Sequence, residues 1–475
     1  MKTGKRQGML PFMVELGDKD ETTGRVGLTL VVEAARALGL DSLVTEELKV
    51  AKRRRGSPEY TKIEALILLI AAGGDRVEDI RVLERDGGLI RLLGKRLPSP
   101  DALLRLLNGF DDSQVWAHRP PDEKSWVPPE TSPLRALFEI NRRLVARAAN
   151  EETTTATIDH DGTIIEAHKR DALIAYEGTR GYQPLVAVWV EEDLIIGDEF
   201  RDGNVPGNKD PLSSVRRAIE ALPSRVTKRY FRGDSADYYL PLLKYLVTER
   251  IVFAISADMS PQLRKCCERI PESEWLNIQQ REREVVHVAE VEFVTDGWPK
   301  ISEPLRYVAI RFTPIQQEIF AEPGRGPKYV AVVTNRPQPA EPGEPKKNDE
   351  MSAADLVRWH REKAGTIEHV HRSMKDELGA GVLPCQKFGA NAAWFRINVL
   401  AYNVLTFLTR RALPARYRDA RPKRLRFEVF TMPGRLTFHQ RQTSVNVSCA
   451  AAQVEELVDA RRRLLHFHRA LKQEK

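Results

Sequence analysis

Residues 155–165 of this 475-residue chain read Thr-Ala-Thr-Ile-Asp-His-Asp-Gly-Thr-Ile-Ile. A β-strand turns successive side chains to opposite faces, so Thr157, Asp159, Asp161 and Thr163 share one face. Ile158, His160, Gly162 and Ile164 share the other. Two carboxylates on one face of a central strand repel and are costly to bury. A bound cation explains them; so does an edge strand with a solvated polar face, and the stretch alone leaves both open. A further acid, Asp234, ends the run Lys228 to Gly233, at the carboxyl end of a predicted strand and just before a helix. Open α/β sheets place their ligands there. The competing reading is a helix cap, a role that suits Asp and Ser alike. Glu368 shares a helix face with Arg372 and Lys375 at spacings of four and three. That pattern also describes plain ion pairs worth a few tenths of a kcal/mol.

The elements that must position these acids follow from the hydrophobic pattern. Residues 1–125 read as helical: Val32, Ala35, Leu38 and Leu40, then Ile63, Leu66, Ile67 and Ile70, recur at helical spacing. Ser99-Pro100-Asp101 is a helix start. The helix it opens carries Arg105 and fits a major groove or a packed bundle. Pro120, Pro121, Pro128 and Pro129 mark a linker, and a helix over about 133–149 leads into the acidic strand. Leu185 to Val190 and Leu194 to Phe200 make two more strands joined at Glu191-Glu192-Asp193, an antiparallel meander. Strand, helix, strand, helix from 209 to 256 implies parallel neighbours joined by crossovers. Residues 281–294, 305–312 and 328–334 predict a β-rich insertion containing Trp275 and Trp298. A long helix over about 351–378 carries Glu368, and an apolar helix over 388–408 follows. Met432-Pro433-Gly434 reads as a hairpin turn between 425–429 and 436–438, ahead of a terminal helix over 451–471.

The expected organisation is multidomain α/β. It runs as a helical DNA-end-binding region (1–125), a linker and helix (126–154), and the first part of a mixed-sheet catalytic core (155–258). A β-rich insertion (259–335), the remainder of the core with the Glu-bearing helix (336–410), and a hairpin-plus-helix end for DNA contact or dimerisation (411–475) complete it. No apolar run is long enough to span a bilayer, and the basic start leads into no secretory signal. The four cysteines, Cys266, Cys267, Cys385 and Cys449, match no zinc spacing or disulfide framework, which favours a reducing cytoplasm. Net charge is +7, with basic runs at Lys52-Arg53-Arg54-Arg55, Arg421 to Arg426 and Arg461 to Arg463. This permits nucleic-acid binding without requiring it. Neither a Walker A nor a dinucleotide-binding glycine pattern is present, which argues against a nucleotide-dependent metabolic enzyme.

Four motifs line up in order: Ile158-Asp-His-Asp-Gly-Thr163, Phe231-Arg-Gly-Asp-Ser235, Thr366-Ile-Glu-His-Val-His-Arg-Ser-Met-Lys375, and Asn391-Ala-Ala-Trp394 leading to Ala401-Tyr-Asn403. Together with Gly181-Tyr-Gln-Pro-Leu185 and Arg201-Asp-Gly-Asn204, they resemble the DDE transposases of bacterial insertion sequences, in the cut-and-paste branch with a β-strand insertion. The resemblance implies a ribonuclease-H-like core with Asp161, Asp234 and Glu368 as catalytic, metal-holding acids. It prefers Asp161 over Asp159 because the family's acid precedes a small residue and Thr. It implies two Mg²⁺ ions, with Mn²⁺ able to substitute, roughly 4 Å apart around the transferred phosphate. The chemistry is hydrolytic nicking at the element's end, then attack by the freed 3′-OH on target DNA. Lys375 would hold a phosphate, with Arg372, Arg201, Asn204, Tyr182, Arg53, Arg54 and Arg105 as DNA contacts and Trp298 as a base-stacking residue. The family's helix has an Arg four before the Glu, where this chain has Ala364, with Lys363 or Arg361 as substitutes. Partners implied are terminal inverted repeats, target DNA and a second copy of the chain. The rival readings are an inactive transposase-derived DNA-binding protein and a stand-alone ribonuclease-H-like nuclease.

Overall fold

The structure, a computed structural model, describes residues 21–50, 56–169, 172–175, 177–299, 304–315, 327–340, 345–439 and 442–473. Helices α1 (Thr29–Ala37), α2 (Leu40–Glu47), α3 (Glu59–Ala72) and α4 (Pro100–Asn108) come first. At α4 the Ser99 side chain accepts the Ala102 N–H and Pro100 occupies the first turn, the expected start. Helix α5 (Ser132–Ala148) then leads into strand β1 (Thr155–Gly162).

Strands β2 (Leu185–Trp189) and β3 (Leu194–Glu199) complete the meander. Helix α6 (Pro211–Glu220) is followed by β4 (Lys228–Gly233), helix α7 (Leu240–Thr248) and β5 (Val252–Ala257). β1 pairs antiparallel with β2 and parallel with β4, and β4 runs parallel to β5. This half of the sheet has the order β3-β2-β1-β4-β5. Three antiparallel strands, then parallel additions on the far side of the first, make a ribonuclease-H-like core.

Four further strands extend the same sheet: β6 (Leu276–Gln280), β7 (Glu284–Val291), β8 (Arg306–Pro314) and β9 (Lys328–Thr334). β9 pairs antiparallel with β5, so the insertion continues the core sheet to nine strands. Helix α9, preceded in the chain by the short α8 (Pro261–Arg269), runs Ala353–Arg372 without interruption at Gly365. It ends in a wider, π-helical turn over Ser373–Glu377.

Helix α10 (Phe388–Phe407) is buried on every side from Gly389 to Phe407. An apolar surface all round belongs to a core helix. It packs against α1, α3, α4, α5 and β3, so the N-terminal helices form no core of their own but share one with the sheet. Its Asn403 clamps edge strand β3: Oδ1 accepts the Ile195 N–H at 2.8 Å and Nδ2 donates to the Ile195 carbonyl at 2.9 Å. That occupies backbone groups an exposed edge would offer to another chain. Asn391 and Trp394 do similar structural work on the Cys385 backbone and the Gly379 carbonyl.

The hairpin is β10 (Gly434–His439) with β11 (Gln442–Val447), one segment later than expected. Residues 422–430 are helical instead. Leu425 and Val429 are both buried at a spacing of four, and Arg424 pairs with Glu428 at the same spacing, the pattern of a helix. Helix α11 (Ala451–Gln473) closes the chain against α1. Among the described residues, no helix is long and apolar enough to cross a membrane.

Candidate active site

The acidic face of β1 looks onto α9, and its two aspartates are treated differently. Asp159 is fully buried. Its oxygens take a two-pronged contact from Arg232, Nε at 2.7 Å and Nη2 at 3.0 Å, and the Thr366 hydroxyl from α9. Arg232 lies directly opposite on parallel β4 and also donates to the Trp359 carbonyl and to Glu362. Two buried charges in forked geometry satisfy each other. The opposite face of β1 is closed too, since His160 is bonded to Asp237 at 2.8 Å and Ser214 at 3.1 Å.

Asp161 sits two residues further, at the carboxyl end of β1. Its side chain is 25% exposed, and Lys363 Nζ stands 3.3 Å from Oδ2. Oδ1 accepts the Gly162 N–H. Asp234 follows the end of β4. It, rather than Ser235, caps the next turn, accepting the Ala236 N–H on Oδ1 at 2.9 Å. That leaves its other oxygen without a partner among the described residues. Asp258 stands past the end of β5; burial and the neighbouring Asp234 carboxylate both push its pKa up. Three parallel or adjacent strand ends therefore present carboxylates at one edge.

Helix α9 overlooks that edge. His360 Nε2 donates to the Gly233 carbonyl at 2.9 Å, and burial drives its pKa down to about 4. Lys375 Nζ donates to the Ile164 carbonyl at 2.7 Å, just past Asp161. Glu368 stands on α9 and is not gathered with Asp161 and Asp234 into one ligand set. Its side chain is exposed. Burial and the nearby Lys363 and Lys375 ammonium groups push His371 down to about 3. Among the described residues no three His, Cys, Asp or Glu side chains gather into a ready-made ligand set. The available donors are carboxylate oxygens, the hard ligands that Mg²⁺ and Mn²⁺ take. Lys363 holds a positive charge against Asp161 meanwhile.

Several expected DNA contacts find other work. Arg201 is 1% exposed and is committed to Glu199 and to the carbonyls of Pro206, Lys209 and Asp210. Its role is to brace a loop; it has no surface to offer DNA. Tyr182 is buried against Phe200 at 4.9 Å. Beside it, a side chain at Gly181 would put Cβ 2.2 Å from the Ile165 carbonyl, which explains the glycine. Trp298 and Trp275 are both buried, and Trp275 packs under the Arg311 guanidinium at 4.5 Å, so neither presents a free face for a base. Asn204 ties its loop to the Lys124 carbonyl. Arg372 and Arg105 are exposed; Arg53 and Arg54 lie outside the described residues. Sequence reasoning missed two participants. Arg232 was signalled by its place between Phe231 and Gly233 at the end of β4, just before Asp234, and Asp258 by its place just after β5.

A family model described as "Transposase DDE domain group 1" matches residues 18–469. The chain belongs to that family. It is a DDE transposase, of a kind that acts on DNA with divalent metal ions. No curated protein matches it. Among solved structures it is similar, at 12% identity and a TM-score of 0.42, to a piggyBac transposase in a cryo-EM synaptic complex with hairpin DNA. That likeness covers 94% of this chain and 80% of the other.

Proposed function

We propose that this transposase cuts the ends of its own element and joins the freed 3′-OH to target DNA, with Asp161, Asp234 and Glu368 as the acids. The observation that carries this reading is the contrast on β1: Asp159 is tied to Arg232 inside the fold, while Asp161 is left at the open strand end beside Asp234. Divalent ions, Mg²⁺ by preference and two in number, would supply Lewis-acid stabilisation of the charge built on phosphorus. Asp161 would share them, and Asp234 and Glu368 would hold one each. Lys375, at the strand end, would neutralise a phosphate next to the cut. Lys363 would take the role of the arginine absent at Ala364, moving from Asp161 to a DNA phosphate. Recognition of terminal inverted repeats by the basic elements, and a homodimer bridging two ends, belong to the same reading.

The test is a labelled duplex carrying the element's end, taken from DNA flanking the gene, with Mg²⁺ or EDTA. Wild type should nick only with metal, while Asp161→Ala, Asp234→Ala and Glu368→Ala bind without cutting. Tight binding with no cutting by wild type would instead support an inactive DNA-binding protein. Cutting without joining a pre-cut end would support a stand-alone nuclease.

A further inference from the structure

On the flank of α9 turned away from the acids lies a cavity of about 300 Å³. It is walled by α9, the end of α10 and the segment following α10, and it holds His369, Arg410, Arg418 and Arg421. Three donors on its lining are buried with no acceptor among the described residues: Ser373 Oγ, Arg410 Nε and Arg421 Nε. Ser373 itself is 1% exposed. Buried donors without partners are costly, more so when charged, and native folds rarely leave several together. The remaining donors of the arginines are only partly engaged. Arg410 Nη1 reaches the Glu191 carbonyl at 2.8 Å, and Arg421 pairs with Glu377. Two acids stand in the wall: Asp193 accepts the Tyr402 hydroxyl, and burial raises its pKa, which weakens its claim on the arginines, while Asp419 is exposed to water.

We infer that this cavity is an oxyanion site that takes a phosphate group through Ser373, Arg410, Arg418 and Arg421, separate from the phosphate at the acids. Arginine forks match phosphate oxygens two at a time, and a serine hydroxyl supplies a further short donor. Thr366 links the two sides of the helix: it lines this cavity and its hydroxyl bonds Asp159. The source of the phosphate is the DNA backbone, which rests on the transposase reading above, or free phosphate.

The experiment uses the full-length protein and the variants Ser373→Ala, Arg410→Ala and their combination. The first arm measures thermal midpoints with inorganic phosphate against equal ionic strength of chloride. The second measures the salt dependence of affinity for the end duplex. Each phosphate contact contributes a slope of roughly −0.9 in log K against log salt. If the backbone occupies the cavity, phosphate raises the wild-type midpoint, the double variant loses that rise, and its salt slope is shallower by about one contact. A rise with phosphate but an unchanged slope upholds the oxyanion site and assigns it to free phosphate. No difference between wild type and the double variant in either arm overturns the inference. Metal-dependent nicking by wild type, run in parallel, reports on the transposase reading independently.

Discussion

Asp159 and Asp161 lie on one face of one strand, yet their surroundings oppose each other. Around Asp159 every oxygen has a fixed partner, and no water reaches it. Around Asp161 one ammonium, that of the buried Lys363, stands 3.3 Å away and a quarter of the carboxylate's side chain is open. The difference arises from strand length. Parallel β4 still runs beside position 159, placing Arg232 opposite it, and the pairing stops there. Beyond that point the β4 side is open, and the one strand neighbour of Asp161, Val186 on β2, carries no charge. The same residue type is thus sealed inside the fold at one position and left partly open two residues on.

The largest effect should come from breaking the open end. Asp161→Ala should lower metal-dependent nicking by about 10³-fold or more, since ion-held charge stabilisation contributes several kcal/mol. Its urea midpoint should fall by less than that of Asp159→Ala, because Asp161 is a quarter exposed, although the Lys363 it leaves behind is buried. A variant that cuts normally would move the catalytic role off Asp161.

Breaking the closed end should reverse those readouts. Asp159→Ala leaves Arg232 buried beside an empty site, and removing one member of such a pair costs about 3–5 kcal/mol. Urea denaturation should show that loss. Arg232→Ala should cost a similar amount, and Asp159→Ala/Arg232→Ala together less than the sum, the signature of a direct pair. Wild-type stability in Asp159→Ala would show that the pair holds nothing together.

How much of this was legible beforehand divides along the same line. The meander, the crossovers and the helix bearing Glu368 were readable because their periods are plain and their starts are marked, as at Ser99-Pro100. Alternation put Asp159 and Asp161 on one face, as the structure has it, but gave no means of choosing between them. The choice depends on Arg232, a residue 73 positions away that only the parallel register brings alongside. Arg201, which the resemblance gave the task of positioning DNA or the loops of the site, braces a loop through the carbonyls folded over it, a contact that no local pattern announces. The segment 425–430 misled because Pro433-Gly434 is a strong turn signal, whereas the burial of Leu425 and Val429 is decided by packing.

Acid should loosen the α9 side of the site. His360 and His371 have folded-state pKa values of about 4 and about 3, below the ordinary 6.5. Between pH 6.5 and those values the unfolded chain binds protons that the folded one refuses. Stability is therefore fully present above about pH 6.5 and falls as pH drops, by up to about 1.4 kcal/mol per pH unit for each histidine. Urea midpoints measured from pH 7.5 to 5 should show the fall, and His371→Asn should flatten it by about one proton. An unchanged slope would mean that His371 is solvated when folded.

The smallest effect tests the ammonium beside Asp161. If Lys363 stands where positive charge is needed, an arriving ion must displace it. Lys363→Met removes that competitor, so Mn²⁺ should bind more tightly. Water reaches a quarter of Asp161 though not the buried Lys363, and screening at the carboxylate sets the gain at about 1 kcal/mol, or roughly a fivefold change in affinity. Nicking should nonetheless fall, because a lysine freed from Asp161 is available to a DNA phosphate and a methionine is not. Tighter metal with slower cutting separates competition from catalysis. Weaker Mn²⁺ binding would instead make Lys363 a support that orients Asp161, and the open end of the strand would then be less open than its exposure suggests.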